Sequence, residues 1–413
     1  MNEPQTVIST GGGGGRNNGP TSVSTYFSDY WKRIRTGDLG SIPIILGLIV
    51  ITIIFQTLNQ NYLTPRNFVN LIVQMAGITT IAIGVVFVLL LGEIDLSISY
   101  VSAVAAVFMT MRLRPPDGWP WLIALVAALI FAAIIGIVQG LIITQFQLPS
   151  FVVTLAGFMV WNGVVLILIG TGGTVILQSP VIIGIANSFL PPLWGWIAAA
   201  VAVGLFAITR YMGWRSRRKR GVSNTPPAVL AMQIIALAAV TGAVVYVANQ
   251  DRGVPFVGIL LLVLLVAFTF LAERTRFGRY VYAIGGSLEA ARRAGIHVNR
   301  IKVQVFMISS IMAGMGGVIL ASRLRSVDTA AGGGSLMLNS IAAAVIGGTS
   351  LFGGSGRVIS AFLGALVIAS VENGMGLLGL SAGVKFVVTG LVLLLAVLVD
   401  AISRRGKART GVS

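Results

Sequence analysis

The chain has 413 residues, of which 56% are hydrophobic and only 10% are charged. A soluble domain carries about 25% charged residues, so this chain has too little charge to cover a soluble core. With no cysteine and a single histidine, His297, it lacks the side chains for a disulfide framework, a thiol nucleophile or a histidine-cluster metal site. The net charge of +17 does not indicate nucleic acid binding, because Lys and Arg lie between apolar runs and are not interleaved with aromatics. These features favour an integral membrane protein.

Residues 1–41 differ in kind from the rest of the chain. Five consecutive glycines start at Gly11 and are followed by Asn, Ser and Thr. Such a segment has little to bury, so we expect a disordered cytoplasmic tail. It also lacks the charged head and apolar stretch of a signal peptide. Lys32, Arg33 and Arg35 directly precede the first apolar run and favour a cytoplasmic N-terminus.

Twelve apolar segments follow, most of them near the length that crosses about 30 Å of hydrocarbon as a helix. They are predicted at 42–58, 68–91, 96–111, 119–144, 149–169, 191–212, 227–248, 253–272, 303–321, 336–352, 358–378 and 384–402. We therefore predict an all-α, polytopic membrane helix bundle over 42–402, followed by a basic cytoplasmic tail at 403–413.

The positions of the basic residues test this topology. With the N-terminus inside and strict alternation of the segments, 22 of the 29 Lys and Arg residues fall in cytoplasmic segments and 7 in external loops. Cytoplasmic loops collect Lys and Arg, so the bias predicts that both termini are cytoplasmic. The basic run at 215–220 joins two apolar runs that look like an inserted helix pair over 191–250. We interpret that run as an orientation anchor.

Two of the predicted segments, 96–111 and 336–352, are short and rich in Ser, Ala and Gly. Each adjoins a stretch punctuated by glycine, Gly92–Ser97 in the first half and Gly347–Gly356 in the second. Short or broken helices at matching positions predict an internal two-fold repeat, with a transport path between the halves.

The longest internal loop between segments covers 273–302. Within it, Ser287 is a favourable helix N-cap, Glu289 suits the positive end of a helix, and Gly295 is a natural residue just past a helix end. These residues predict a helix of about two turns. Small residues such as Ala290 would let another surface approach closely, although a plain surface helix is the alternative.

Five stretches, in this order along the chain, resemble the ribose- and xylose-type sugar permeases of ATP-binding-cassette (ABC) transporters. They are Gly92–Ser97, Leu148–Gly157, Arg279–Val298, Ile341–Gly356 and Leu394–Asp400. The resemblance covers residues 42–402, and the helix pair at 191–250 is similar to that of the longer xylose-type or multiple-monosaccharide members. The chain departs from the family pattern at Glu93, where a second glycine is usual, and at Leu336–Leu338, where an acidic residue is frequent.

The resemblance implies the membrane-spanning permease subunit of an importer for a monosaccharide, for example a pentose such as xylose, in the inner or plasma membrane. Its implied partners are an ABC ATPase subunit, which docks on the 285–296 loop, an extracytoplasmic sugar-binding protein, a second permease copy in a homodimer, and membrane lipid. The chain lacks a Gly-x-x-x-x-Gly-Lys-[Ser/Thr] phosphate loop, so we expect no enzyme activity and no cofactor in it, with ATP and Mg held by the partner ATPase. The residues expected to dock the ATPase are Gly285, Gly286, Ser287, Glu289, Ala290, Ala291, Arg293 and Gly295.

Polar side chains in or beside the apolar segments are candidates for the translocation path or for helix interfaces. Ionisable groups at bilayer depth cost at least roughly 2.5 kcal/mol and usually face a bundle interior or a wet cavity. Sugar hydroxyls would pair there with neutral amides. The candidates are Asn70, Gln74, Glu93, Asp95, Asn162, Asn339, Glu372 and Asn373. For each, a structural hydrogen bond between helices is the alternative, and Asp95 could instead cap the third segment.

An ion-coupled secondary transporter or channel is the alternative function. Glu93, Asp95 and Glu372 would then serve as proton or cation sites. The pattern of the 273–302 loop argues against it, since a secondary transporter needs no ATPase partner. A membrane-embedded enzyme has little support, because the chain has no cysteine and its one histidine lies in a loop.

Overall fold

A computed structural model of the chain describes residues 42–116, 118–220 and 226–392, together with positions 28, 394 and 398. The predicted tails at 1–41 and 403–413 lie outside the described residues, apart from position 28. Most of the motif at 394–400 also lies outside them.

The chain divides into two compact units. The larger unit comprises Leu39–Ala198 and Ala243–Ser413, and the smaller comprises Met1–Asp38 and Ala199–Gly242. Every candidate path or docking residue belongs to the larger unit.

Helices account for most of the described residues, and the strands are short. The helices are α1 (Ile42–Leu58), α2 (Pro65–Leu90), α3 (Ile98–Arg112), α4 (Trp121–Gln145), α5 (Ser150–Ile169), α6 (Pro180–Asn187), α7 (Pro192–Lys219), α8 (Pro227–Ala248), α9 (Phe256–Arg274), α10 (Arg276–Gly286), α11 (Leu288–Arg293), α12 (Val298–Leu324), α13 (Leu336–Ile346), α14 (Ile359–Leu377) and α15 (Ala382–Val392). The strands are β1 (Thr174–Ile176), β2 (Phe189–Leu190), β3 (Val254–Pro255) and β4 (Ser326–Asp328).

Each of the twelve predicted apolar segments overlaps one of these helices. In the described part of the chain, eight are long and apolar enough to cross a membrane, namely α2, α4, α5, α7, α8, α9, α12 and α14. Shorter apolar helices occupy the other four positions, α1, α3, α13 and α15. The prediction of an all-α polytopic bundle is therefore confirmed.

The two helices predicted to be short are short, with 15 residues in α3 and 11 in α13. The predicted end of the tenth segment was too late, because α13 stops at Ile346, where Gly347 and Gly348 turn the chain. Gly348 has a φ of 100°, which ends a helix without strain only in glycine.

α2 and α13 end in the same way. Each is closed by a glycine of positive φ, Gly92 (77°) and Gly348 (100°). At both ends the next N–H donates to the carbonyl five residues earlier, at 3.2 and 3.0 Å. The internal repeat stays a prediction, because α11 and α14 also end in this way, at Gly295 (78°) and Gly379 (66°).

The centre of the larger unit is formed by α2, α12 and α14, each of which is buried for most of its length. α12 packs along α2, α3 and α4, and α14 packs against α2 and α13. By contrast, α1, α4, α5 and α9 expose many large apolar side chains, such as Ile53 and Ile130. Helices with apolar outer faces are what a lipid solvent requires.

Two small antiparallel sheets join loops of the larger unit. β1 pairs with β4, with Val175 opposite Val327, and β2 pairs with β3, with Phe189 opposite Pro255. The β1–β4 pair connects the loop after α5 to the loop after α12. In the predicted topology β1, β2 and β4 lie in external loops, whereas β3 occupies the start of the predicted segment 253–272.

The predicted helix pair at 191–250 is present as α7 and α8, and that it is an insertion stays a prediction. α7 continues as far as Lys219 and carries basic residues in its last turn. The Arg218 guanidinium lies 5.1 Å from the centroid of the Trp214 ring. An aromatic ring with a stacked arginine suits the membrane–water interface, as the orientation-anchor interpretation requires.

Candidate functional site

A cavity of about 710 Å³ lies at the end of the bundle where α2 begins. It is lined by side chains of α2, α12, α13, α14 and α15. Five of the eight predicted polar candidates line it, namely Asn70, Gln74, Asn339, Glu372 and Asn373. The other three, Glu93, Asp95 and Asn162, do not. The sequence therefore identifies many of the polar residues of the cavity wall, but it does not show that they line the same cavity.

A cluster of three amides joins α2 to α14 on one side of the cavity. Asn67 and Asn373 exchange hydrogen bonds, with 2.7 Å from Asn67 Nδ2 to Asn373 Oδ1 and 3.0 Å in the reverse direction. Asn373 Nδ2 also donates to Gln74 Oε1 at 3.1 Å. Asn67 and Asn373 are both buried. Asn67 is not among the candidates predicted from the sequence. The signal was available, since Asn67, Asn70 and Gln74 have the spacing of one helix face.

A carboxylate lies on another part of the cavity wall. Glu372 Oε1 accepts a hydrogen bond from Asn339 Nδ2 at 2.5 Å, and the same Asn339 nitrogen is 3.0 Å from Ser335 Oγ. Glu372 thus makes the interhelical hydrogen bond given as its structural alternative, and it also lines the cavity.

Two cations, Arg323 and Lys385, line the same cavity as Glu372 and were missed. The count of basic residues places both in external loops, because the predicted segment 303–321 ends before Arg323 and the predicted segment 384–402 begins close to Lys385. α12 instead runs to Leu324, so Arg323 belongs to its last turn. The cavity therefore combines neutral amides with a carboxylate and two basic side chains.

This wall suits a small neutral polyol. Amide side chains offer both donors and acceptors, which is what a ring of hydroxyl groups needs. A volume of about 710 Å³ lies within the range of pockets that hold small molecules. The charged groups of the wall are available to orient a ligand or to hold the helices together.

Glu372→Ala is expected to leave membrane insertion intact and to lower sugar uptake by about tenfold or more, since a hydrogen bond to a charged group contributes about 1.5–3 kcal/mol. The amount of protein in the membrane fraction and the initial uptake rate measure the two effects. Glu372→Gln is the matched control, because it keeps an acceptor for Asn339 and removes only the charge. Wild-type uptake by Glu372→Ala would contradict any role of this side chain in the path.

Asp95 lies beyond the far end of α2 from the cavity. At 1.5 Å per residue, α2 spans about 30 Å from Asn70 to Leu90. Asp95 accepts from the N–H and the hydroxyl of Ser97, at 3.0 and 2.7 Å, and from the Ser309 hydroxyl at 3.0 Å. The prediction that it caps α3 needs correction, because Ser97 holds the cap position and Asp95 precedes it, joining α3 to α12.

Glu93 and Asn162 also lie away from the cavity. Glu93 forms an ion pair with Lys302 at the start of α12. Asn162 is half-buried in the middle of α5. Neither contributes to the cavity wall in the described residues.

The loop at 273–302 contains two short helices where the sequence predicted one. α11 is the predicted helix, and its cap is confirmed, since the Ser287 hydroxyl accepts from the Ala290 N–H at 3.3 Å. Gly295 follows it with a φ of 78°, as a closing glycine should. α10, before it, was not predicted. Its start is marked by Thr275, whose hydroxyl accepts from the Gly278 N–H at 3.2 Å.

The residues predicted to dock an ATPase divide into an outer and an inner group. The exposed ones are Gly286, Ser287, Glu289, Ala290, Arg293 and Gly295. Ala291 is only 3% exposed, so it faces the protein interior and cannot contact a partner in this conformation. Gly285 also packs inward, against Leu90 and Gly354. The prediction is corrected at these two positions, because one side of α11 packs on the protein and Gly285, at the end of α10, lies against the backbone of Leu90 and Gly354.

Three glycine-bearing motifs from distant parts of the sequence meet at one place, here called the glycine junction and formed by Gly92, Gly285, Gly353 and Gly354. The Gly354 N–H donates to the Leu90 carbonyl at 3.0 Å. A Cβ on Gly285 would lie well inside contact distance of the Leu90 oxygen and 2.6 Å from the Gly354 nitrogen. A Cβ on Gly353 would lie 2.9 Å from the Gly92 nitrogen. The backbones therefore touch where only glycine fits.

A tyrosine further joins α10 to this region. The Tyr282 hydroxyl donates to the Gly356 carbonyl at 2.8 Å. Burial raises the pKa of Tyr282, the nearby Glu273 carboxylate raises it further, and Arg357 lowers it. The phenol therefore remains a protonated donor at physiological pH.

The fold and the two sites define a polytopic helical membrane protein with a polar cavity at one end of α2 and a helical loop packed at the other. Residues 67–397 match the family of the branched-chain amino acid transport system, permease component. The chain belongs to this family, and within it to the ribose and xylose type, as the sequence motifs indicate.

Relatives match over nearly their whole length. The chain is 38% identical to the xylose transport system permease protein of Escherichia coli K12 over 384 residues, which cover 90% of this chain and 94% of the relative. It is 33% identical to the xylose transport system permease protein of Haemophilus influenzae, covering 90% and 99%. It is 32% identical to the ribose import permease protein of E. coli K12, covering 86% and 92%. No solved structure shows significant similarity to the chain.

Proposed function

We propose that this chain is the membrane-spanning permease subunit of an ABC importer for a monosaccharide. The observation that carries the proposal is the placement of the polar cavity and of the docking loop, here residues 285–302, at opposite ends of α2 and α12. Gln74 and Leu320 line the cavity, while Leu90 and Lys302, on the same two helices, lie at the loop. Two long, buried helices thereby connect the proposed sugar path to the proposed contact surface for the ATPase.

The partners follow from this division of labour. A separate ATPase subunit, carrying ATP and Mg, docks on the exposed face of the 285–296 loop. An extracytoplasmic sugar-binding protein delivers the sugar to the cavity, and a second copy of the chain completes a homodimer in the inner membrane. Both termini are cytoplasmic in this arrangement, which sets the cavity toward the outside and the loop toward the ATPase.

Within the monosaccharides, we propose a pentose such as xylose. The chain is more similar to the xylose permease of E. coli K12, at 38%, than to the ribose permease, at 32%. The amides of Asn67, Gln74 and Asn373 suit an uncharged sugar, because each can both donate and accept hydrogen bonds.

Uptake of labelled sugar into proteoliposomes that contain the chain and its ATPase tests the proposal. We expect uptake in the presence of the binding protein to require ATP on the ATPase side and to survive a proton uncoupler. Uptake that the uncoupler abolishes, without a need for ATP, would instead support the ion-coupled transporter.

The structure offers that alternative little support. Two of its candidate ion sites are already engaged, Glu93 by Lys302 and Asp95 by the hydroxyls of Ser97 and Ser309. Only Glu372 lies in the cavity, together with two basic residues.

A further inference from the structure

We propose that the ion pair of Glu93 and Lys302 fixes the end of the docking loop to the turn between α2 and α3, and that Glu93 is a positioning residue for coupling. The inference rests on the proposed function and adds a specific element to it. The glycine junction holds the beginning of the loop to this turn, so the ion pair would make the turn a clamp on both ends.

The first observation is the ion pair itself. Lys302 Nζ donates to Glu93 Oε1, and the two side chains are 18% and 16% exposed. The Glu273–Arg357 pair has side chains that are 35% and 71% exposed. Water and salt screen an exposed pair, whereas a sheltered pair keeps most of its attraction, and removing one partner leaves the other charge uncompensated.

The second observation is the position of the two anchors. Gly285, at the end of α10, packs on the Leu90 carbonyl oxygen. Lys302, in the first turns of α12, reaches Glu93. Gly285 and Lys302 lie far apart along the loop, whereas their partners Leu90 and Glu93 are only three residues apart. α11, with its exposed docking face, is held between them.

The third observation is a second contact on the same face of α12. Lys302 and Ser309 are seven residues apart, which is about two helical turns, so both point to one side. Ser309 donates to Asp95 at 3.0 Å. α12 therefore contacts the turn twice, through the sheltered ion pair at Glu93 and through the buried hydrogen bond at Asp95.

This geometry allows the clamp to transmit motion of α11 to the helices α2 and α12. A displacement of α11 by a docked ATPase cannot be absorbed by slack at either end of the loop. It passes to α2 through Leu90 and Glu93 and to α12 through Lys302. The opposite ends of α2 and α12 line the cavity, with Gln74 and Arg323 among the lining residues.

The test uses single and exchanged charges in the full-length protein. Glu93→Gln and Lys302→Gln are each expected to lower the sugar transported per ATP hydrolysed by about fivefold, because each leaves a sheltered charge without its partner and frees one end of the loop. The exchange variant, Glu93→Lys with Lys302→Glu, is expected to recover much of the loss. ATPase co-purification should be unchanged in all three, since neither residue lies on the exposed face of α11.

A second readout does not depend on transport. Trypsin cleavage after Arg292 and Arg293, which are exposed in α11 and far in sequence from both substitutions, is expected to accelerate in both single variants in nanodiscs and to slow again in the exchange variant. The matched control is Glu273→Gln with Arg357→Gln, which removes charges from an exposed pair and should change neither readout.

The outcomes separate the two proposals. Wild-type cleavage and coupling in both single variants, or no recovery on exchange, overturns the clamp even if the chain transports sugar by ATP hydrolysis. If cleavage follows the ion pair but the wild-type protein shows no ATP-driven uptake, the proposed function fails and the coupling role of Glu93 fails with it. Faster cleavage and lower coupling, both reversed by exchange, establish the clamp.

Discussion

Gly285→Ala is expected to abolish sugar uptake and to lower the melting temperature of the purified permease. The new methyl group would meet the backbone oxygen of Leu90 and lie 2.6 Å from the backbone nitrogen of Gly354. Neither atom can rotate away as a side chain can, so the three backbone segments must separate. Overpacking of a well-packed site costs typically about 1–3 kcal/mol, occasionally more.

The neighbouring glycine provides the control. Gly286 is exposed, and a Cβ there would have nothing within 4 Å. Alanine forms helix better than glycine by about 1 kcal/mol, so both variants gain that amount within α10 and their difference isolates the contact. We expect Gly286→Ala to melt slightly above the wild type and to transport sugar normally, because it adds only one methyl group to the exposed docking face. Equal melting temperatures for the two variants would show that the junction is not tightly packed.

Ala290→Trp is expected to prevent co-purification of the ATPase while the permease inserts and folds normally. Ala290 is exposed in the first turn of α11, where its N–H is already held by Ser287. Tryptophan costs only about 0.5 kcal/mol there in helix propensity. An indole in a close interface costs typically about 1–3 kcal/mol, which is about fivefold or more in affinity.

Two further variants sharpen this test. Ala290→Ser keeps the side chain small and should bind the ATPase like the wild type. Gly295→Val should weaken binding for a different reason, because valine resists the φ of 78° that closes α11. If both Ala290→Trp and Gly295→Val bind the ATPase and transport normally, α11 is only a surface turn.

The sequence predicts the helices well and their faces poorly. Apolar runs located all twelve segments, because a helix in lipid must satisfy its backbone internally and needs a minimum length. The helix at α11 was predictable from Ser287 and Gly295, since caps act locally. Ala291 was misplaced on the outer face, because which side of a short helix is covered depends on the elements packed against it.

Contacts between distant segments were beyond prediction from one sequence. Gly92, Gly285 and Gly354 each stood in a recognisable motif, but nothing in the order of residues shows that the three backbones touch. Arg323 was read as a loop residue, because hydropathy ends a helix at its first charge, whereas α12 continues to Leu324. For the same reason, the sequence predicted amides and Glu372 of the cavity wall but not Arg323.

In the proposed function, nucleotide hydrolysis on a partner ATPase is coupled through this chain to sugar movement. ATP hydrolysis by the purified ATPase, measured in nanodiscs with and without this chain and the sugar-loaded binding protein, tests it directly. We expect hydrolysis to rise only when all three proteins and the sugar are present, and we expect the rise to be lost with Gly285→Ala but kept with Gly286→Ala. A hydrolysis rate that is the same with and without this chain would contradict it.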